Sequence, residues 1–525
     1  MSEKSPQGIR MTAPLFDTED SEIVVALVAP IGCNREYAHI ALKEIFEGRG
    51  YTINDLKLSD ALPFLADAID VELKERPYLD RVNSYMDAGT KLRRQSGRGD
   101  VLALSAVNEI AQRRPVADAG SPLDQRLLRH VHVLDSLKHP DEVRSLRQIY
   151  GPGFYLVGVF APRAVRKRHL IDERYLSEEQ AEQLLNRDAV EEAEREYGQR
   201  TRDTFHLSDV FIDVSNTGRA REALERFFAL VFGDPFITPN ADEFGMQAAA
   251  SASFRSGALA RQIGAALVNK RGDLISVGHN EVPRAGGGLY CATDSPDGRD
   301  LALGVDTNTQ RLKEIAREAA RELERAGLIG DVDGAAQVLA GSKLRDITEY
   351  GRTVHAEMEA LLAAARTGVA VRRATLYTST FPCHNCAKHV VAAGVDRVVY
   401  IEPYPKSEAL LLHGDAILHA GEEDPRPRGA EEGSDRSGPV VLEPFMGVAP
   451  RRFAGLFGIV RPDGTELERK GADGRRVELP PRERTHPRIP MLSLAYPDRE
   501  EKACAVLIEV HNRIREAAHG EDGTD

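Results

Sequence analysis

His355-Ala356-Glu357, followed downstream by Pro382-Cys383-His384-Asn385-Cys386, is the stretch whose reading decides the fold. It brings one imidazole, two thiols and one extra carboxylate into two short motifs. Residues 358–365 are rich in Ala and Leu, and residues 387–393 run into Gly394, a natural helix stop; each reads as a helix. Before the second motif, Ala374-Thr375-Leu376-Tyr377-Thr378 reads as a strand. Both ligand groups then sit at helix N-termini, where the dipole and open N–H groups favour thiolate over thiol.

Three N/S ligands, His355, Cys383 and Cys386, leave the fourth position of a tetrahedral zinc ion open to water, as in a catalytic rather than a closed structural site. Glu357 is the expected proton shuttle beside the metal. A lone Cys-x-x-Cys could equally be a redox pair or half of a structural zinc site, but the added His-x-Glu and Pro make the pattern that of zinc nucleobase deaminases.

A chain of 525 residues implies two or three domains, and 42% hydrophobic residues suffice for sizeable cores. No apolar run approaches membrane-spanning length and residues 1–20 form a polar tail, so neither a membrane span nor a signal peptide is expected. Five cysteines do not make a disulfide framework; Cys33, Cys291 and Cys504 read as isolated thiols, and a thiolate metal site suits a reducing cytoplasm. The net charge of −13 disfavours non-specific adhesion to nucleic-acid backbones, while leaving room for a local basic pocket. With Trp absent and aromatics at 6%, no stacking platform for single strands is evident.

The first block, residues 21–235, alternates buried strands (22–28, 131–135, 154–160 and 210–214) with helical segments, including 37–46 and the charged 178–202. The sequence Ala29-Pro30-Ile31-Gly32-Cys33-Asn34-Arg35-Glu36 joins the first strand to the first helix, the setting of a phosphate-binding loop. With Asp135-Ser136-Leu137-Lys138 and Ser208-Asp209-Val210-Phe211-Ile212, it resembles the P-loop nucleoside-monophosphate-kinase-like fold, a parallel-sheet domain of the P-loop NTPase kind. The loop is degenerate. Gly32 is present, but Asn34, Arg35 and Glu36 hold the places of Gly-Lys-Ser/Thr, and an acid beside the phosphates would repel them. Phosphoryl transfer is therefore not expected; nucleotide sensing and scaffolding both stay open. Asp135 reads equally as an echo of a magnesium-binding acid or as a plain strand end.

Residues 238–243 mark a boundary before a helix expected at 246–260 and a hairpin of 263–268 with 274–278. A charged helix, 311–326, is inserted before His355; residues 421–438 read as a mobile loop, and residues 461–525 as a C-terminal extension ending in a helix at 500–518. Over residues 240–460 the motifs Arg261-Gln262-Ile263-Gly264-Ala265, Gly278-His279-Asn280-Glu281-Val282-Pro283, His355-Ala356-Glu357 and Pro382-Cys383-His384-Asn385-Cys386-Ala387-Lys388 resemble the deoxycytidylate deaminase family. That resemblance implies a cytidine-deaminase-like α/β/α domain, zinc on His355, Cys383 and Cys386, Glu357 as proton shuttle, and Asn280 on the deoxyribose. From its residue type alone, Asn280 is a turn residue. Arg261, Arg352, Lys388 and Lys406 are the basic candidates for a nucleotide phosphate.

Joined to the first block, and with Tyr404-Pro405-Lys406-Ser407 and 443–453, the chain resembles the bacterial anti-phage dCTP deaminases. This implies deamination of dCTP and dCMP, depletion of deoxycytidine nucleotides against phage, and restraint by an inhibitory small RNA. Further copies of the chain are expected partners; a membrane is not. The rival readings are a housekeeping dCMP deaminase, a nucleic-acid cytosine deaminase, a pterin or riboflavin-pathway deaminase, and a nucleotide- or RNA-binding regulator with structural zinc.

Overall fold

The computed structural model describes residues 20–66, 69–115, 125–194, 197–404, 406–420, 438–461, 464–489 and 495–520. The expected polar tail, apart from Asp20, and the expected loop at 421–438, apart from Gly438, lie outside the described residues. The chain divides into two compact units. Residues up to 161, 166–237 and from 454 onward form the first; residues 162–165 and 238–453 form the second.

In the first unit, β1 (Ile23–Val28), β2 (Thr52–Lys57), β3 (His130–Asp135), β4 (Phe154–Phe160) and β5 (Val210–Asp213) form a wholly parallel sheet in the order β2-β3-β1-β4-β5. All six residues of β1 are buried, which is why its sequence is a continuous apolar run. β2 carries Thr-Ile-Asn-Asp-Leu-Lys and buries alternate residues, so its polar edge face hid it from a search for apolar runs. The helix Thr217–Val231 buries Ala220, Leu224, Phe227, Phe228 and Val231, a stripe at helical spacing, and Phe228 meets Phe46 edge-on at 4.8 Å. The helix expected over 178–202 is Glu178–Glu194, with a separate short turn at Thr201–Phe205.

The C-terminal extension is part of this first unit. Its helix Tyr496–Gly520 sets Tyr496 edge-on against Tyr150 at 5.1 Å. Glu500 grips Arg114 at 2.6 Å, Arg114 grips Glu22 at 2.8 Å, and Glu22 meets His132 Nε2 at 2.8 Å. All four side chains are buried, so the charges compensate one another away from water.

The second unit holds β6 (Gly264–Val268), β7 (Leu274–His279), β8 (Thr375–Thr380), β9 (Arg397–Glu402), β10 (Ile417–His419) and β11 (Val440–Pro444), in the order β10-β11-β9-β8-β6-β7. The β6–β7 hairpin is antiparallel, as is β6–β8; the remaining pairs are parallel. The first helix of this unit is Ala241–Ser253, beginning and ending earlier than its apolar pattern implied. The reason is a capping box: the Asn240 side chain accepts from Glu243 N at 2.8 Å, and Glu243 accepts from Asn240 N at 2.9 Å. The inserted segment is two helices, Thr307–Arg325 and Val332–Gly341, of which only the first has the charged helical pattern singled out above. Gly278 is required where β7 meets the helix Ala356–Thr367, since a Cβ there would lie 2.2 Å from Ala356 O. That close approach brings the end of the hairpin against the turn that carries His355.

Candidate active site and metal centre

His355 is the N-cap residue of Ala356–Thr367, and Cys383 is the N-cap residue of His384–Ala392. β8 runs almost directly into Cys383, so the sheet fixes where that turn begins. Cys386 lies in the first turn of its helix, and its N–H donates to Cys383 Sγ at 3.4 Å. This is how the sequence spacing becomes a cluster: two strand-side turns each present ligands at a helix start.

His355 Nδ1 lies 3.3 Å from Cys383 Sγ and 3.3 Å from Cys386 Sγ. The three ligand atoms all lie within 4.8 Å of one another. Zinc–sulfur and zinc–nitrogen bond lengths put tetrahedral neighbours roughly 3.6 Å apart, so the donor set fits zinc in both spacing and chemistry. Glu357 is not one of this group; it is buried and accepts from Cys386 Sγ at 3.4 Å through Oε2.

The electrostatics separate the two thiols. Cys383 is pulled down to about 4 by the hydrogen bond from Cys386 and then by the His355 imidazole, whereas Cys386 is pushed well above the usual thiol range by its bond to Cys383 and by burial. His355 is raised, chiefly through its contact with Cys383. Glu357 is raised by burial and then by the negative charge of Cys383. A carboxyl placed there holds a proton more readily than one in water.

The surrounding shell orients these groups. Ser407 Oγ donates to Pro382 O at 2.7 Å, tying the segment after β9 to the cysteine turn. Asn385 Nδ2 donates to Glu349 Oε1 at 3.1 Å, and Lys388 Nζ donates to Asn385 Oδ1 at 2.9 Å. Tyr404 is raised by burial and by the nearby Cys383 and Asp346 charges, which sets it beside the cluster. Glu349, Asp346 and Tyr404 were not among the sequence candidates. Tyr404 belongs to a quoted motif that carried no chemical role, and the two acids lie in a connecting segment without a motif.

Of the basic candidates, Arg261 Nη2 pairs with Glu402 at 2.5 Å, Arg352 donates to Asp300 and to Gly298 O at 3.0 Å each, and Lys406 pairs with Asp346 at 2.5 Å. Lys388 meets the neutral Asn385 amide. The Asn280 side chain donates to Arg261 O at 2.8 Å and accepts from Ile263 N at 2.8 Å, bridging the backbone on both sides of Gln262.

The loop after β1 is filled from within. Arg35 Nη1 lies 2.5 Å from Asp135 Oδ1, Ile31 N donates to Asp188 Oδ2 at 2.9 Å, and Cys33 N donates to Pro30 O at 3.3 Å. Asn34 caps the helix Arg35–Glu47 by accepting from Glu36 N at 3.2 Å. Arg166 packs so closely on Gly32 that a Cβ at residue 32 would stand 2.9 Å away. Four of the loop's backbone donors, those of Ile31, Cys33, Arg35 and Glu36, are already used, the first by a carboxylate.

The family model described as the cytidine and deoxycytidylate deaminase zinc-binding region matches residues 239–402, all within the second unit. The deoxycytidylate deaminase of Enterobacteria phage T4 is 30% identical over 145 residues, 27% of this chain and 68% of that protein. The deoxycytidylate deaminase of Mus musculus is 23% identical over 167 residues, 32% of this chain and 67% of that protein. A crystal structure of dCMP deaminase from the cyanophage S-TIM5 in apo form aligns at 16% identity over 39% of this chain and 99% of that one, with a TM-score of 0.21, too low to bear on fold or function.

Proposed function

The chain belongs to the deoxycytidylate deaminase family, and on that premise we propose that it hydrolyses deoxycytidine nucleotides, dCTP and dCMP, to the deoxyuridine nucleotides and ammonia. It is a hydrolase acting on a carbon–nitrogen bond. The observation that carries the finer reading is the cluster itself: three metal-competent donors with a buried carboxyl, Glu357, at their side.

His355, Cys383 and Cys386 would hold zinc, which when bound supplies an acidified water and Lewis acidity at the reacting carbon. Glu357 takes a proton from the water that adds to C4 of cytosine and delivers it to N3. It then moves the proton of the new C4 hydroxyl to the amino group, which leaves as ammonia as the C4 carbonyl forms. The raised proton affinity of Glu357 supports this role, because the group must hold a proton as well as accept one. The Ser407–Pro382 hydrogen bond keeps the cysteine turn in place while the base is bound.

In this reading Asn280 contacts the deoxyribose, and phosphate contacts come from Arg261, Arg352, Lys388 and Lys406. Three of these would exchange a carboxylate for a phosphate; Lys388 has only a neutral amide to give up. The first unit is read as a P-loop-like domain without phosphoryl transfer, supported by its parallel sheet and its self-filled loop. Its union with a deaminase supports a role in depleting deoxycytidine nucleotides against phage, under restraint by a small RNA, in the cytoplasm and as a homo-oligomer. Incubating the purified chain with dCTP, dCMP, CTP and a cytosine oligonucleotide, while following ammonia and product mass, tests this function. Turnover confined to the oligonucleotide would overturn it.

A further inference from the structure

The first unit contains a cleft of about 630 Å³ that the deaminase reading does not use. Its walls come from Arg49 just past the helix Arg35–Glu47, from the helix Thr217–Val231 with the turn after it, and from C-terminal residues between Arg461 and His486. The size falls within the range of small-molecule sites.

Four arginines on its lining make no ion pair with any described carboxylate: Arg49, Arg461, Arg482 and Arg484. Arg49 is only 5% exposed, donates one Nη1 bond to Ile45 O at 2.8 Å, and leaves its buried Nε without a partner. The buried Nε of Arg461 is likewise unpartnered. Arg49 is lowered to about 10 by burial and by the neighbouring Arg482 charge. The buried Arg488 is likewise lowered, by burial and by the Arg461 and Arg469 charges. Gathering like charges and stripping their donors of partners costs free energy, which an incoming anion recovers.

The remaining lining narrows the class of anion. Leu467 and Leu479 give an apolar lip, with Leu479 44% exposed. Glu468 and Glu478 also face the cleft, as do Glu222, Glu225 and Asp234, of which Glu225 pairs with Arg221 at 3.2 Å; carboxylates accept from sugar hydroxyls but repel a continuous phosphate backbone. We propose that this cleft binds a nucleoside phosphate, with the arginines on the phosphates, the leucines against the base and the glutamates on the sugar. Nucleotide recognition in the first unit is thereby assigned to this cleft and not to the loop after β1, where Asp188 holds the Ile31 N–H and Arg166 crowds Gly32.

The test uses the full-length zinc-loaded chain and ligands that contain no cytosine: ATP, GTP and inorganic triphosphate, each titrated by calorimetry. The expected result is one saturable site for a nucleoside triphosphate, tighter than for triphosphate alone. The Arg461→Glu/Arg482→Glu double variant, at solvent-accessible positions, should weaken it by roughly tenfold or more, with dCMP deamination unchanged. Arg49→Gln should weaken it too, provided its thermal unfolding matches the parent. Equal affinity in parent and double variant overturns the proposal, as does triphosphate binding as tightly as ATP. Neither outcome depends on whether cytosine is deaminated, so the two readings fail separately.

Discussion

Cys386 Sγ and Glu357 Oε2 lie 3.4 Å apart, with the carboxyl outside the trio of metal donors and the thiol inside it. Glu357 is thus held by one of the three candidate donors without being one of them. Glu357→Gln should keep zinc content near that of the parent while lowering kcat by roughly 10²–10⁴-fold, the span of general acid–base catalysis. Metal analysis beside a rate measurement checks both halves; a variant that loses its zinc contradicts the assignment.

The two cysteines differ in charge when no metal is bound. Cys383, drawn down to about 4, is a thiolate at pH 6, whereas Cys386 is a protonated thiol. After chelation and mild denaturant, iodoacetamide at pH 6 should therefore label Cys383 first, and zinc should protect both. Peptide mass mapping reads the order directly. Cys383→Ala or Cys386→Ala should abolish metal retention, and melting should then no longer respond to added zinc.

His279 offers a pH test at a residue that is not itself one of the metal donors. It is buried at the end of β7 and lowered to about 4 by burial and by the Arg255 charge. A histidine whose folded pKa is depressed binds fewer protons folded than unfolded. Stability is then full above about pH 6.5 and falls as pH drops towards 4, by up to about 3 kcal/mol. Urea unfolding at pH 7 and pH 4.5 should show a smaller loss in His279→Gln than in the parent; equal losses would remove His279 from the account.

The ionic pair Arg114–Glu500 ties the last helix to the first unit. Arg114→Ala leaves Glu22 and Glu500 buried without their cation, and should cost about 3–5 kcal/mol in that unit. For the same reason, a fragment beginning at residue 236 carries residues 454–520 without their partners, whereas a fragment of 238–453 does not. The shorter fragment should be the more soluble and monodisperse in size-exclusion chromatography.

What could be read in advance followed from local rules. β1 and β4 were legible because burial on both faces demands apolar runs, and the metal site because ligand chemistry restricts residue type and spacing. β2 was not, since half of its side chains face solvent. Nor was the return of Tyr496–Gly520 to the first unit, which depends on a contact between Glu500 and Arg114 that no local pattern encodes. The partners of Arg261, Arg352 and Lys406 were hidden for the same reason, because Glu402, Asp300 and Asp346 are joined to them only by folding.

The loop after β1 gives the last prediction. Its sequence lacks the Lys and hydroxyl of a working phosphate loop, so the full chain should hydrolyse no ATP with magnesium. The structure adds a second obstacle that sequence repair does not remove. Asp188 takes the Ile31 N–H and Arg166 fills the space against Gly32. Asn34→Gly/Arg35→Lys/Glu36→Ser should therefore remain without ATPase activity. Adding Asp188→Ala withdraws a buried carboxylate from the place a phosphate would occupy, and is the change expected to matter for binding at that loop. ATPase activity in the unmodified chain, or in the triple variant alone, would show that the loop's own contacts do not close it.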